Sequence, residues 1–298
     1  MGASSQDVYA KYLQHADYGY PLRMPEPMST LPEDYRKSGL QIGDVGVVDS
    51  NGQFDVLFNI WKHSNNPLHR HGVPKNFQPV PCEDVKSSPN AISAGPIHSY
   101  GINQILEPAG DKSRSADYEF ESSAPAGAIL ILPHGAMSAE LSSLEQFRQV
   151  AIQNAIDWYE LAKKRYGVEH LDRSLYLITG FYKSRYWSLA SFKNPKNDTG
   201  KIQARKHESN PNIYPLQLTF PSDRRHSHSG DDSGNINQTV FIRGFKITFS
   251  RWLPHPVVLT ATEVETTWSK LVRLFNACLS RLRNVSGGHK PPVATSKL

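Results

Sequence analysis

No apolar run in this chain is long enough to cross a membrane. The longest, Ala128–Leu132, is far short of the roughly 18 residues that a spanning helix needs. The two cysteines, Cys82 and Cys278, lie far apart with no C-x-x-C spacing. That argues against a disulfide framework and against a cysteine-held metal, and two unpaired thiols are expected. Charged residues make up only 20% of the chain, too few for wholesale disorder or a long coiled coil. The patterns G-x-S-x-G, G-x-x-x-x-G-K-[ST] and G-x-G-x-x-G are all missing. Their absence removes the usual signatures of a nucleophile elbow, a phosphate loop and a dinucleotide site. No apolar core follows a basic start in the first twenty residues, so a secretory leader is not expected. These absences describe a soluble intracellular protein, and they name no reaction.

Charge is present, but unevenly. Residues 1–150 carry 11 Lys and Arg against 17 Asp and Glu, whereas residues 151–298 carry 22 against 11. Within the second half, the segment 163–225 holds 13 basic and 5 acidic residues. Such an asymmetry suggests a basic face for phosphates, of lipid or of nucleic acid.

The elements follow from periodicity. Val8, Tyr9, Tyr12 and Leu13 share one face of a short opening helix over 5–15. Prolines at 21, 25, 27 and 32 then hold the chain extended. The segments over 44–60 flank Asn51-Gly52, which predicts a hairpin with a type I′ turn. Residues 67–115 are poor in periodicity and read as loops with short strands. Ala128–Leu132 reads as a strand buried on both faces.

Ser142 and Glu145 have the spacing of a capping box, and apolar residues at steps of three and four then predict a helix over 142–166, stopped by Gly167. Residues 174–181 and 185–192 predict a hairpin, and further strands are expected at 118–121, 202–206, 214–220 and 239–249. Residues 222–237, nearly all polar, read as a mobile loop. A last helix is expected from Thr262, with a narrow stripe of Val264, Trp268, Leu271, Phe275, Cys278 and Leu282 that serves as core packing or as an oligomer seam. The expected class is α+β. It is a single domain over 1–284, with a twisted, mostly antiparallel sheet, one long packed helix and a C-terminal helix, followed by a flexible tail over 285–298.

Two constellations are candidates for function. His69 and His71, and likewise His226 and His228, would each put two imidazoles on one side of an extended segment, with Asp231 and Asp232 as oxygen ligands nearby. His134, at the end of a buried strand, is a candidate general base or a hydrogen-bonded structural residue. The basic segment is the more informative. Lys183 and Arg185 are expected at a hairpin tip beside Trp187. Lys163, Lys164, Arg165, Lys193, Lys196, Arg205 and Lys206 complete the set. Cations interleaved with amphipathic aromatics suit a membrane interface or single-stranded nucleic acid.

The blocks LPEDYRKSGLQIGDVGVVDSNGQFDVLFNI, GAILILPHGAMSAEL, SLYLITGFYKSRYWSLASF and NQTVFIRGFKITF resemble a family of basidiomycete (mushroom) proteins with no settled activity. In the order of its elements the chain also resembles the pore-forming domain of gasdermins. Gly43-Asp44, the strand Leu175–Thr179 and the strand Thr239–Phe249 occur in that order. The second resemblance implies membrane engagement and pore formation.

The function expected from residues and resemblance together is non-enzymatic. It is engagement of an acidic membrane surface, with a gasdermin-like pore in fungal defence or cell death as its extension. Self-association is a possible part of it, nucleic acid a less favoured partner, and no cofactor is expected. A metal-assisted hydrolase on the loop histidines and a plain interaction module stand beside it as alternatives. The ending Ser296-Lys297-Leu298 is the tripeptide read by the peroxisomal import receptor. The preceding PPVAT also resembles a cloning linker, so the ending is native or engineered. The expected location is the cytoplasm or, with that signal, the peroxisome.

Overall fold

In a computed structural model, residues 5–106, 117–167, 174–193, 199–210, 212–219, 221–228, 235–248 and 257–260 are described, with the backbone alone at 106, 226–228 and 257–260. All of them belong to one compact unit, Met1–Thr262. The expected C-terminal helix, its stripe and the tail lie outside the described residues.

In chain order, helix α1 (Ser5–Leu13) leads to β1 (Tyr20–Pro21) and helix α2 (Glu33–Ser38). The strands β2 (Asp44–Val48), β3 (Phe54–Asn59), β4 (Val85–Ile92), β5 (Gly95–His98) and β6 (Ile102–Leu106) follow. Next come β7 (Tyr118–Ser122), β8 (Ala126–Leu132), β9 (Ala136–Leu141) and the long helix α3 (Glu145–Tyr166). The remaining strands are β10 (Leu175–Ser184), β11 (Tyr186–Lys193), β12 (Gly200–Ala204), β13 (Leu216–Leu218), β14 (Ser222–His228), β15 (Gln238–Thr248) and β16 (Val257–Thr260). They pair antiparallel in three sheets, which gives the mixed, mostly antiparallel class expected with one long helix.

The largest sheet runs β1-β15-β10-β2-β3, with β16 on β15 and the pair β9-β4 on β10. Its core is covered by α3, whose Phe147, Ala151, Ala155, Trp158 and Ala162 are buried. The small alanines let the helix approach, and Phe58 meets Trp158 edge to face at 5.6 Å. In the second sheet, β14-β11-β8-β5, the two central strands β8 and β11 are covered on both faces. One face of β8 and β11 meets α1 and β15 through Leu130, Leu132, Trp187, Tyr9 and Phe241. The other face meets the third sheet, β13-β12-β7-β6, through Ile129, Ile131, Phe120 and Ile202. The reading of Ala128–Leu132 as a doubly covered strand therefore holds, all five residues being fully buried.

Several local expectations need correction. The 44–60 hairpin forms, but Asn51 does not take a positive φ; only Gly52 does, at 85°. The Asp49 carboxylate accepts the N–H groups of Asn51 and Gln53 at 2.9 Å each, so an Asx turn does the work that a type I′ turn would have done. Ser142 does not cap α3. The helix starts at Glu145 with Leu144 at its N-cap and no side-chain cap, while the Ser142 N–H is bonded to the Asp84 carbonyl at the end of the β9 edge. Residues 222–228 are no loop: they form β14, paired with β11. A polar sequence forms a strand here because its partner is already fixed in a buried sheet.

Candidate functional site

The largest correction concerns 174–193. β10 and β11 are not a hairpin: β10 belongs to the first sheet and β11 to the second. Only Arg185 separates them, and one residue is too few to turn a hairpin. The chain therefore runs on from sheet to sheet, and there is no tip to expose. Lys183 is buried, flanked by Thr239 on β15 and Met137 on β9. Trp187 is fully buried and its Nε1 donates to Gln238 Oε1 at 3.2 Å. Neither meets a membrane surface in this fold.

The remaining cations do not gather into the single face that their order in sequence suggests. Lys163, Lys164 and Arg165 end α3 on the first sheet, Lys193 ends β11 in the second, and Arg205 and Lys206 follow β12 in the third. Lys196 lies outside the described residues. Part of the basic half is also matched by the acidic half. Arg225 pairs with Glu26 at 3.6 Å, Lys201 with Glu119 at 3.4 Å and Arg243 with Glu140 at 2.7 Å.

Lys183 belongs instead to a buried polar cluster around Asp44. The Asp44 carboxylate accepts from Tyr35 Oη at 2.5 Å, from the Gln41 N–H at 2.6 Å and from Asn59 Nδ2 at 2.8 Å. Lys183 Nζ donates to the Ser38 carbonyl at 2.6 Å, at the C-terminus of α2, and lies over the Phe181 ring at 4.0 Å. Burial pushes the Asp44 carboxyl up to about 6 against the pull of these donors. Burial likewise lowers the Lys183 ammonium to about 7, against the attraction of Asp44. A carboxyl and an amine both poised near neutrality resemble an acid–base pair. Asp44, Asn59, Tyr35 and Lys183 are all buried, however, so nothing outside reaches them. The cluster clamps α2 to the sheet. The cleft above Tyr35, walled by Leu22, Leu31, Leu40 and Phe54, has room for roughly one water molecule.

The histidines separate. Residues 67–69 form a 3-10 turn, not an extended segment, so His69 and His71 do not share a side. His69 points inward, its Nε2 accepts the Asn59 N–H at 3.1 Å, and burial holds its imidazole below the usual range. His71 is exposed. His226 and His228 sit opposite Ser188 and Tyr186 in the β14–β11 register, with their side chains outside the description, as are Asp231 and Asp232. His134 is exposed and within 2.8 Å of Asn212 Oδ1. Among the described residues no three His, Cys, Asp or Glu side chains come together as metal ligands.

What the fold does bring together is a basic rim that the sequence did not announce. Asp55 on β3 sits under the end of α3. Tyr166 Oη donates to Asp55 Oδ2 at 2.7 Å, and an Arg165 guanidinium nitrogen approaches the same oxygen at 3.3 Å. Burial and the neighbouring carboxylate push the Tyr166 phenol up, so it stays a donor. His71 lies within the fields of Arg165 and Arg70; partial burial and these two cations hold its imidazole below the usual range. Arg70 is fixed by donating to the Thr30 carbonyl and hydroxyl. Lys164, the next cation back along α3, is exposed, while Lys163 leans toward Glu160 at 3.9 Å. Cations at a helix C-terminus also complement its dipole. With one internal counter-ion for several cations, this rim suits a surface carrying many anions. The position of Arg70 between two histidines was visible in sequence, but the partnership with Asp55 left no signal there.

Among the described residues no helix is long and apolar enough to cross a membrane. The chain matches no protein-family model and no curated protein.

Proposed function

We propose that the protein works by contact, without a reaction of its own, and that its partner is an acidic surface, in the first place the anionic face of a membrane. One observation carries this reading: His71, in the loop that also carries Arg70, lies within the field of Arg165 at the end of α3, with Asp55 as the internal counter-ion. Asp44 and Lys183 are engaged in clamping α2, and His69 in holding the Asn59 backbone. The resemblance to gasdermins in order of elements extends the reading to a pore-former in fungal defence or cell death. The ending Ser296-Lys297-Leu298 adds a peroxisomal address.

Vesicle co-sedimentation tests the reading. Binding should be strong to acidic vesicles, weak to neutral ones, and lost as salt shortens the screening length from about 10 Å at 0.1 M to about 3 Å at 1 M. A cation near an anionic bilayer contributes about 1 kcal/mol, so Arg70→Glu with Lys164→Glu should weaken binding by roughly 30-fold or more, whereas Lys206→Glu should not. Dye release reports a pore, and single-stranded nucleic acid is the competitor. Binding to neither partner at low salt would overturn the proposal. Binding that nucleic acid abolishes, without dye release, would favour nucleic acid. A fluorescent protein fused ahead of Pro291–Leu298 should form puncta on peroxisomes; a diffuse signal indifferent to removal of Leu298 would exclude the address.

A further inference from the structure

The tip of the β2–β3 hairpin carries a dipeptide able to change its own covalent structure. Asn51-Gly52 is the single Asn-Gly pair in the chain. A glycine nitrogen has no side chain beside it, so the backbone can bring it onto the preceding side-chain amide, and the ring that closes has five members. The fold cannot dispense with this glycine. Gly52 takes φ 85°, and a Cβ there would collide with Gln6 Oε1 and the Arg23 side chain. Asn51, by contrast, is exposed. Its side chain reaches Asp49 Oδ2 from Nδ2 at 3.5 Å, a long and weak contact.

We propose that Asn51 is a site of spontaneous deamidation, delayed by the closed turn, and that its product competes with Asp223 for Arg23. This site is independent of the acidic-surface reading. The Gly52 nitrogen gives its proton to a base in solution and bonds to the Asn51 side-chain amide carbon. The bond from that carbon to Nδ2 breaks, and the nitrogen takes up a proton and leaves as ammonia. Water then opens the cyclic imide. Cleavage of the bond from Gly52 N to the side-chain carbon gives aspartate. Cleavage of the bond from Gly52 N to the Asn51 carbonyl carbon gives isoaspartate, in which the backbone runs on through Cβ. In that second product the Asn51 carbonyl becomes a free carboxylate. Arg23 Nη1 already donates to this carbonyl oxygen at 3.4 Å, and Arg23 Nη2 pairs with Asp223 on β14. The guanidinium draws electron density from the carbonyl, which favours attack of water there. The new carboxylate then offers Arg23 a second charged partner, and β14 loses part of its hold on the segment 21–32.

The turn opposes the first step. The Gly52 N–H is donated to the Asp49 carbonyl at 3.1 Å, and the Asp49 carboxylate accepts the N–H groups of Asn51 and Gln53 at 2.9 Å each. These bonds must open before Gly52 N can swing onto the side-chain carbon. At the usual net worth of such bonds, the folded turn slows the reaction roughly 100-fold.

The test incubates the full chain in mildly alkaline buffer, folded and in urea, and follows the peptide that contains residue 51 by mass spectrometry. Deamidation should be roughly 100-fold slower in the folded chain than in urea. Asp49→Ala should speed it roughly tenfold or more in the folded chain. Asn51→Gln should stop it with the thermal midpoint near wild type, because its longer side chain closes a six-membered ring far less readily. Amide hydrogen exchange along β14 should be faster in the deamidated chain than in fresh protein, and Asn51→Asp, which keeps the carbonyl in place, should have the smaller effect. An Asn51 that stays intact in urea overturns the proposal. So do equal rates in the folded and unfolded chains, or a deamidated chain whose β14 exchange is unchanged.

Discussion

Two carboxylates on one hairpin, Asp44 and Asp55, have nearly the same partners and opposite fates. Each accepts a tyrosine hydroxyl, from Tyr35 at 2.5 Å and Tyr166 at 2.7 Å, and each has a cation nearby, Lys183 and Arg165. Around Asp44 the whole set is sealed, and its donors are spent on holding α2 and the 39–43 turn. Around Asp55 the set sits at the rim of the sheet, and Arg165 keeps part of its charge toward solvent with a side chain 21% exposed. The lysine, whose charge shifts readily on burial, stands in the core, and the permanently charged arginine stands at the edge. The same chemistry therefore makes a clamp where it is covered and a binding surface where it is not.

The strongest way to break this comparison is to remove the buried cation. Lys183→Met should cost about 1–3 kcal/mol by leaving the Ser38 carbonyl without its donor and Asp44 without a nearby positive charge. Combining it with Asp44→Asn should recover part of that loss in urea titrations. Additive costs in the two variants would show that the pair is not coupled. Next is the acid response. Asp44 titrates at about 6 in the fold against 3.8 ordinarily, so the folded form holds the proton more firmly than the unfolded chain. This group alone makes stability rise as pH falls from about 6 toward about 4, by about 2 kcal/mol, and the gain is lost as pH climbs back through 6. The Asp44→Asn variant should lack that arm of the profile.

At the rim the effects are smaller and of a different kind. Asp55→Asn should cost about 1 kcal/mol of stability, yet tighten binding to acidic vesicles because Arg165 loses its counter-ion. Tighter binding with lower stability is a combination that a purely structural role would not give. The smallest effect belongs to His71. Its imidazole is held below the usual range, so it is neutral at pH 7 and gains charge only on acidification. Vesicle binding should then rise about fivefold on that one charge, and His71→Ala should remove the rise.

Regular local patterns were legible in sequence and cross-sheet partnerships were not. Helix α3 was readable because Phe147, Ala151, Ala155, Trp158 and Ala162 repeat at its period, and its stop was readable because Gly167 takes φ 81° where the Lys163 carbonyl must be met. Ala128–Leu132 was readable because only a doubly covered strand tolerates such a run. The path from β10 to β11 was hidden because two adjacent strands look like a hairpin whether they pair with each other or with Phe241 and Arg225 far along the chain. That misreading put Lys183 and Trp187 on the surface. β14 was hidden for a related reason: its residues have little strand character, and its register with β11 supplies the order. Of the candidate site, Lys163, Lys164 and Arg165 were visible as a run of charge. Asp55, buried in an apolar strand, gave no hint that it would organise them.

The covered strand β8 also sets a condition on how the chain is made. Its neighbour β11 and the covering strand β15 are synthesised after it. At about 5–20 residues per second, the sixty or so residues between the end of β8 and that of β11 take roughly 3–12 s to emerge. During that interval Ala-Ile-Leu-Ile-Leu is the kind of segment that stacks with its own copies on crowded ribosomes. Pro125 and Pro133 bracket it, and neither offers the backbone N–H that a growing cross-β ladder needs. Replacing both prolines should leave the finished fold nearly unchanged and increase the share of newly made chains that aggregate or are held by chaperones.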